Sequence, residues 1–191
     1  MSSPAAERGR EVRQRLLAAA VELIPERGWT AVSTRVLAER AGVTPSVVHY
    51  HFPSMAELLN EAVLGLMRQV LADSEEQAGA GGDPASTIRA MVASVAEYSG
   101  DDPTSMVFLE AYLAATRDAG LRERIGAELR RFRDGVGALL AAHDVPEPEA
   151  TAAVLAAAID GLLLHRALAE GPSTRAVADV LGRVVPGEER R

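Results

Sequence analysis

Apolar residues at Val12, Leu16, Leu17, Ala20, Leu23 and Ile24 are separated by four, one, three, three and one positions. That spacing keeps them on one helical face and predicts a first helix from about Arg8 to Arg27. Gly28 supplies the stop, and Trp29, a large aromatic at the junction, is expected to pack under the helices. Ser33 suits the N-cap of a second helix carrying Val36, Leu37 and Ala41. Gly42 ends that helix, because glycine tolerates a left-handed turn, and Val43 is expected to plug the core. Thr44 and Pro45 then make the cap and first position of a third short helix that reaches Tyr50 or His51. Two short helices joined by a glycine-containing turn form a helix-turn-helix.

Beyond Phe52 the helical period continues. Ser54 is placed to cap a fourth helix of residues 55–77, with Leu58, Leu59, Ala62, Val63, Leu66, Met67, Val70 and Leu71 on its apolar face. A glycine-rich break follows. Further helices are predicted over 84–99, 104–117, 119–142, 148–169 and 173–184, separated by Gly, Asp and Pro clusters. The fold class is therefore all-α, with about nine helices. The expected division is a three-helix reading domain at 1–52 and a helical ligand-binding and dimerising domain at 53–191.

Composition narrows the chemistry. The chain has 191 residues, no cysteine and no lysine, so its twenty basic residues are all arginine. Disulfides and thiolate metal sites are excluded. Residues 1–52 carry a net charge of +2 and residues 53–191 a net charge of −9. A basic small end on an acidic body suits local contact with nucleic acid. The N-terminus lacks the apolar stretch of a signal peptide, and the longest apolar run, near Ala152–Leu164, is short for a membrane span. A soluble cytoplasmic protein without membrane contact is expected.

A recognition helix enters the major groove with its N-terminal residues against base edges. Those residues are Thr44, Pro45, Ser46 and Val47. The two hydroxyls can hydrogen-bond bases or phosphates, and Pro45 and Val47 can touch a thymine methyl. Ser33, Thr34 and Arg35 open the second helix, where phosphate is favoured. His49, Tyr50 and His51 stand at the far end of the third helix as further phosphate donors, though one of them must turn inward. His49 and His51 point about 200° apart on a helix, so a shared metal ion is not expected.

The segments LLAAAVELIPERGW and STRVLAERAGVTPSVVHYHFPSMAELL make the chain similar to the TetR family of bacterial regulators, over about Arg13 to Leu59. The resemblance implies a homodimer that binds operator DNA and is released by a small molecule. Carried over by position, it places DNA contacts on Ser33, Thr34, Arg35, Thr44, Pro45, Ser46, Val48, His49, Tyr50 and His51. His49 stands where the family usually has tyrosine, Met55 where it often has lysine, and Val36 where it often has a polar residue. A basic arm with Arg8 and Arg10 is expected to compensate for the missing lysine.

The eighth helix is apolar nearly all round, with Ala153, Ala157 and Gly161 every fourth position, so it should face both a core and a partner. By the resemblance, the last two helices (about 148–184) form the dimer interface. Candidate effector contacts are Met67, Met91, Tyr98, Met106, Phe108, Glu110, Tyr112 and His165, with Val95, Phe132 and Leu163 beside them. Met and aromatic side chains favour a mostly apolar effector. Asp160 is expected to be a buried structural residue. No cysteine nucleophile, Gly-rich phosphate loop, HExxH or local triad is present, so no enzyme, catalytic residue or cofactor is expected. The leading reading is a ligand-released repressor. The alternatives are an activator, or a helical interaction protein with altered DNA binding.

Overall fold

The structure is a computed structural model, and it describes residues 3–79, 84–94 and 98–183. Among the described residues every regular element is helical. The order is α1 (Pro4–Arg27), a short 3-10 turn (Trp29–Ala31), α2 (Thr34–Ala41), α3 (Pro45–His51), α4 (Met55–Gly79), α5 (Pro84–Ser94), α6 (Pro103–Ala115), α7 (Ala119–Ala141), α8 (Pro148–Arg166) and α9 (Thr174–Leu181). The expected all-α class and helix number are met. Val95 and Val184, the 80–83 break and the C-terminal tail lie outside the described residues.

Helix ends follow local chemistry. Ser3, Ser33 and Ser173 accept the N–H groups of Ala6, Val36 and Ala176, capping α1, α2 and α9. Ser54 does the same for α4 through the Glu57 N–H. The cap at Ser3 carries α1 back to Pro4, four residues before the expected start. Arg8 and Arg10 therefore lie within α1, and any arm they form is helical. Gly28 (φ 82) and Gly42 (φ 66) end α1 and α2 as expected, and the Val43 N–H completes the second cap by donating to Ala38 O.

The chain packs as two compact units, residues 1–67 with 106–122 and residues 68–105 with 123–191. In the first, α1 packs on α2 and α2 on α3. Leu16, Leu23, Ile24, Leu37, Val48, Phe52, Leu58 and Val63 are all at most 2% exposed there. Fully burying one such side chain stabilises by roughly 1.5–3 kcal/mol. In the second, Ile88, Met91, Val92, Phe132, Val136, Leu140, Ala152, Leu155 and Ala178 form one apolar cluster, with α5 packed on α9.

Asp160 is exposed, which corrects its expected burial. Among the described residues α8, at 19 residues, is long and apolar enough to cross a membrane by length and composition only, a test that the core helix of a soluble protein also passes. Val154 and Leu164 on α8, Leu168 just beyond it and Val180 on α9 are exposed large apolar residues.

Candidate nucleic-acid interface

The seven residues of α3 sort by helical period. Pro45, Ser46, His49 and Tyr50 follow one another at separations of one, three and one, and all are exposed, Tyr50 by 85%. Val48 and Phe52, four apart on the opposite side, are each 2% exposed. Val47 and His51 flank the two faces and are half-buried. A buried side chain cannot meet a base edge, so Val48 is corrected from DNA contact to core anchor. Of the three polar residues at the far end, His51 is the one that turns partly inward. Its ring meets the Tyr50 ring edge-on, with centroids 5.1 Å apart.

The first turn differs from expectation in one respect. Thr44 occupies the N-cap position, but its hydroxyl makes no capping hydrogen bond. It pairs with the Ser46 hydroxyl at 2.8 Å, so the two hydroxyls form one exposed polar unit. Pro45 fills the first helical position, where no N–H is needed. At the start of α2, Ser33 is used as a cap, Thr34 is half-buried and Arg35 is exposed.

The nearby Arg40 is taken up by α1. Its Nη1 donates to Glu22 Oε2 and Glu26 Oε1 at 3.0 Å each, and its Nη2 to Glu26 Oε2 at 2.6 Å. The Arg40 hydrogen bond holds the Glu26 carboxyl below its ordinary pKa, and the two acceptors raise that of Arg40. Arg40 thus fixes α2 on α1, while Arg35 faces solvent. Among the described residues no group of three His, Asp or Glu side chains is arranged to hold a metal ion.

The candidate effector residues divide between the units. Met67, Met106, Phe108, Glu110 and Tyr112 belong to the first, and Met91, Tyr98 and His165 to the second. Met67 and Met91 are each 3% exposed, and Met91 sits in the apolar cluster of the second unit. Phe108 and Tyr112 are half-buried. Glu110 has a backbone partner here: its Oε2 accepts the Trp29 N–H at 3.0 Å. The Trp29 residue itself is half-buried. His165 is exposed and edges a hollow of about 330 Å³ with Gly161, Leu162, Val177 and Leu181, lined almost wholly by carbon.

Two structural features escaped the sequence. The hollow between α8 and α9 lies outside the region where a cavity was expected, and Gly161 facing the Gly171–Pro172 turn was its only signal. Asn60 is 5% exposed on α4; its Nδ2 donates to Asp118 Oδ2 at 3.2 Å, and its Oδ1 meets no hydrogen-bond partner among the described residues. A polar residue inside an apolar helical face was the signal there.

The chain matches two family profiles, described as "Bacterial regulatory proteins, tetR family" over residues 16–62 and "Tetracyclin repressor-like, C-terminal domain" over residues 82–187. It is 31% identical over 173 residues to the HTH-type transcriptional regulator BetI of Burkholderia ambifaria (strain MC40-6), covering 87% of this chain and 89% of that protein. Among solved structures, the transcriptional-regulator candidate SCO7518 from Streptomyces coelicolor A3(2) superposes with a TM-score of 0.79 at 33% identity, covering 93% of this chain and 99% of the other. The multidrug binding protein EbrR, complexed with imidazole, gives a TM-score of 0.71 at 32% identity, covering 94% of this chain and 93% of the other.

Proposed function

Because the chain belongs to the TetR family of bacterial transcriptional regulators and is a DNA-binding regulator of the helix-turn-helix type, we propose that it acts as a homodimeric repressor released from its operator by a small molecule. The observation that carries the reading is the two-faced α3, which anchors Val48 and Phe52 in the core and leaves Pro45, Ser46, His49 and Tyr50 exposed together. Base reading falls on Thr44, Pro45, Ser46 and Val47. Phosphate contact falls on Ser33, Thr34, Arg35, His49, Tyr50 and His51. Residues 1–52 form the reading domain in this scheme, and residues 53–191 the ligand-binding and dimerising domain.

The dimer forms through α8 and α9. Val154 is 57% exposed, Leu168 77% and Val180 53%, apolar side chains that a second copy would cover. A membrane is the poorer occupant for α8, since Asp160, His165 and Arg166 lie on that helix.

The effector is a mostly apolar small molecule. Met67, Met106, Phe108 and Tyr112 offer adaptable contacts in the first unit, and Asn60 Oδ1 offers one buried acceptor for a ligand donor. The imidazole bound by EbrR is in keeping with such a site. Release requires that the effector bind the state with mismatched head spacing more tightly than the DNA-competent state. The relatives are named as transcriptional regulators, and this reading assigns no catalytic step.

Selection of bound duplexes from a random pool tests the reading. The expected product is a palindrome with half-sites about one helical turn apart, roughly 34–36 Å. Recovery of no sequence preference at moderate salt would overturn it.

A further inference from the structure

Arg13 on α1 sits where three helices meet. Its Nη1 and Nη2 donate to Oε1 and Oε2 of Glu61 on α4, a fork-to-fork pair. Its Cζ also lies 4.6 Å from the centroid of the Phe52 ring, within cation–π range. Phe52 terminates α3: its N–H donates to Val48 O, and its side chain is 2% exposed. One guanidinium therefore grips the second turn of α4 through its edge and the end of the recognition helix through its face. The hydrogen bond to Glu61 raises the Arg13 pKa against the opposing effect of burial, so the grip stays charged.

We propose that Arg13 is a positioning residue for operator recognition, fixing the angle at which α3 presents Ser46, His49 and Tyr50. The inference rests on the recognition face assigned above. A seven-residue helix is about 10 Å long, so a tilt of about 10° at its Phe52 end moves the first turn by roughly 2 Å. Groups that must meet a ligand in register tolerate only about 0.5 Å. The α2–α3 turn holds one end of α3, and Arg13 holds the other. Arginine is required because a single planar group makes both contacts; lysine has neither the fork nor the flat face. In this role Arg13 acts through Phe52 and Glu61, with one N–H of Nη1 and one of Nη2 on the carboxylate; a phosphate contact of its own would show instead as a lower salt slope.

The test compares Arg13→Lys with wild type on two duplexes, a palindrome selected by the wild-type protein and a scrambled version of it, across a salt series. The expected result is a roughly ten-fold loss on the palindrome, little change on the scrambled duplex and an unchanged salt slope. Glu61→Gln breaks the fork from α4 and should reproduce that loss; it carries the test if Arg13→Lys does not fold. The charge-swapped Arg13→Glu/Glu61→Arg pair should recover part of the affinity, since it restores the ion pair without the contact to Phe52. Equal losses on both duplexes, a slope lower by about one unit, or no loss in folded variants would each overturn the proposal. If wild type itself shows no preference for any selected duplex, the recognition face fails and the positioning role fails with it. A preference that survives both substitutions removes the positioning role alone.

Discussion

The backbone N–H of Trp29 donates to Oε2 of Glu110 at 3.0 Å, joining residues eighty-one positions apart. Trp29 opens the 3-10 turn that follows α1, and Glu110 projects from α6. The Gly28 stop ends α1 and leaves this N–H without a helical partner, and the carboxylate supplies one. Glu110→Ala strands the donor in a half-buried site and should cost about 1–2 kcal/mol. Glu110→Gln keeps an acceptor oxygen and should lose less than half of that. Urea denaturation of the two variants checks this. Equal losses would show that the hydrogen bond does not hold the turn, and unchanged stability with altered effector affinity would return Glu110 to the effector site.

The two faces of α3 predict opposite phenotypes from residues two positions apart. Val48→Ala removes buried methyl groups and should destabilise by about 1–2 kcal/mol. Tyr50→Ala, at an 85% exposed position, should leave stability within about 0.5 kcal/mol. Its operator affinity should fall several-fold with an unchanged salt slope, because the phenol is uncharged. Paired denaturation and DNA titrations measure both. A stability loss at Tyr50 matching that at Val48 would contradict the division of faces.

The sequence displayed the helices more clearly than the direction of each side chain. Periodicity and caps located α1 to α4 because Gly28, Ser33, Gly42, Pro45 and Ser54 are strong local signals. Val48 was misjudged because position-by-position transfer assigns contacts without asking which face of a seven-residue helix is buried. Glu110 and Asn60 depend on partners eighty-one and fifty-eight residues away, and no local pattern carries that information. Arg13 was invisible for the same reason: its value lies in Phe52 and Glu61, which only packing brings to it.

The exposed apolar side chains of α8 and α9 predict the assembly state. Leu164→Asp combined with Val180→Asp places charge on residues 44% and 53% exposed in the single chain, so folding of that chain should be little affected. A desolvated carboxylate at the interface should convert the dimer to monomer at micromolar concentration. Sedimentation with circular dichroism reads both effects. A dimer unchanged by the double substitution would place the interface elsewhere.

Asp102 precedes α6 and caps it. Burial pushes its carboxyl pKa up, but hydrogen bonds from the Ser105 hydroxyl and from the Ser105, Gly100 and Thr104 N–H groups outweigh burial and set it below the ordinary value. The stabilisation is therefore present above the unfolded-state pKa of about 3.9 and is lost as pH falls through the lower folded-state value. Asp102→Ala should cost about 1 kcal/mol at pH 7, as loss of a helix cap does. Its melting temperature should converge on that of wild type once the pH has fallen below the lowered folded-state pKa. A difference that persists undiminished in acid would assign the effect to something other than the ionised cap.

Gly42 and Gly100 share a left-handed backbone, at φ 66 and φ 90, yet their surroundings differ. A Cβ at position 42 meets nothing within 4 Å, so Gly42→Ala carries only backbone strain, about 1 kcal/mol. A Cβ at position 100 would overlap the Leu163 carbonyl oxygen and come within 2.6 Å of the Ala167 nitrogen. Both atoms belong to the end of α8, and neither can rotate away as a side chain would. Arg166 ties the same region together, donating from Nη1 to Tyr98 O at 3.2 Å and from Nη2 to Thr174 Oγ1 at 2.7 Å. Gly100→Ala must therefore push the turn before α6 off α8, adding an overpacking cost to the strain, for about 3 kcal/mol or more. Because the two glycines lie in different compact units, hydrogen exchange should localise the losses separately, to α2 and α3 for Gly42→Ala and to α8 and α9 for Gly100→Ala. Similar small losses at the two sites would show that the turn before α6 does not pack on the α8 backbone.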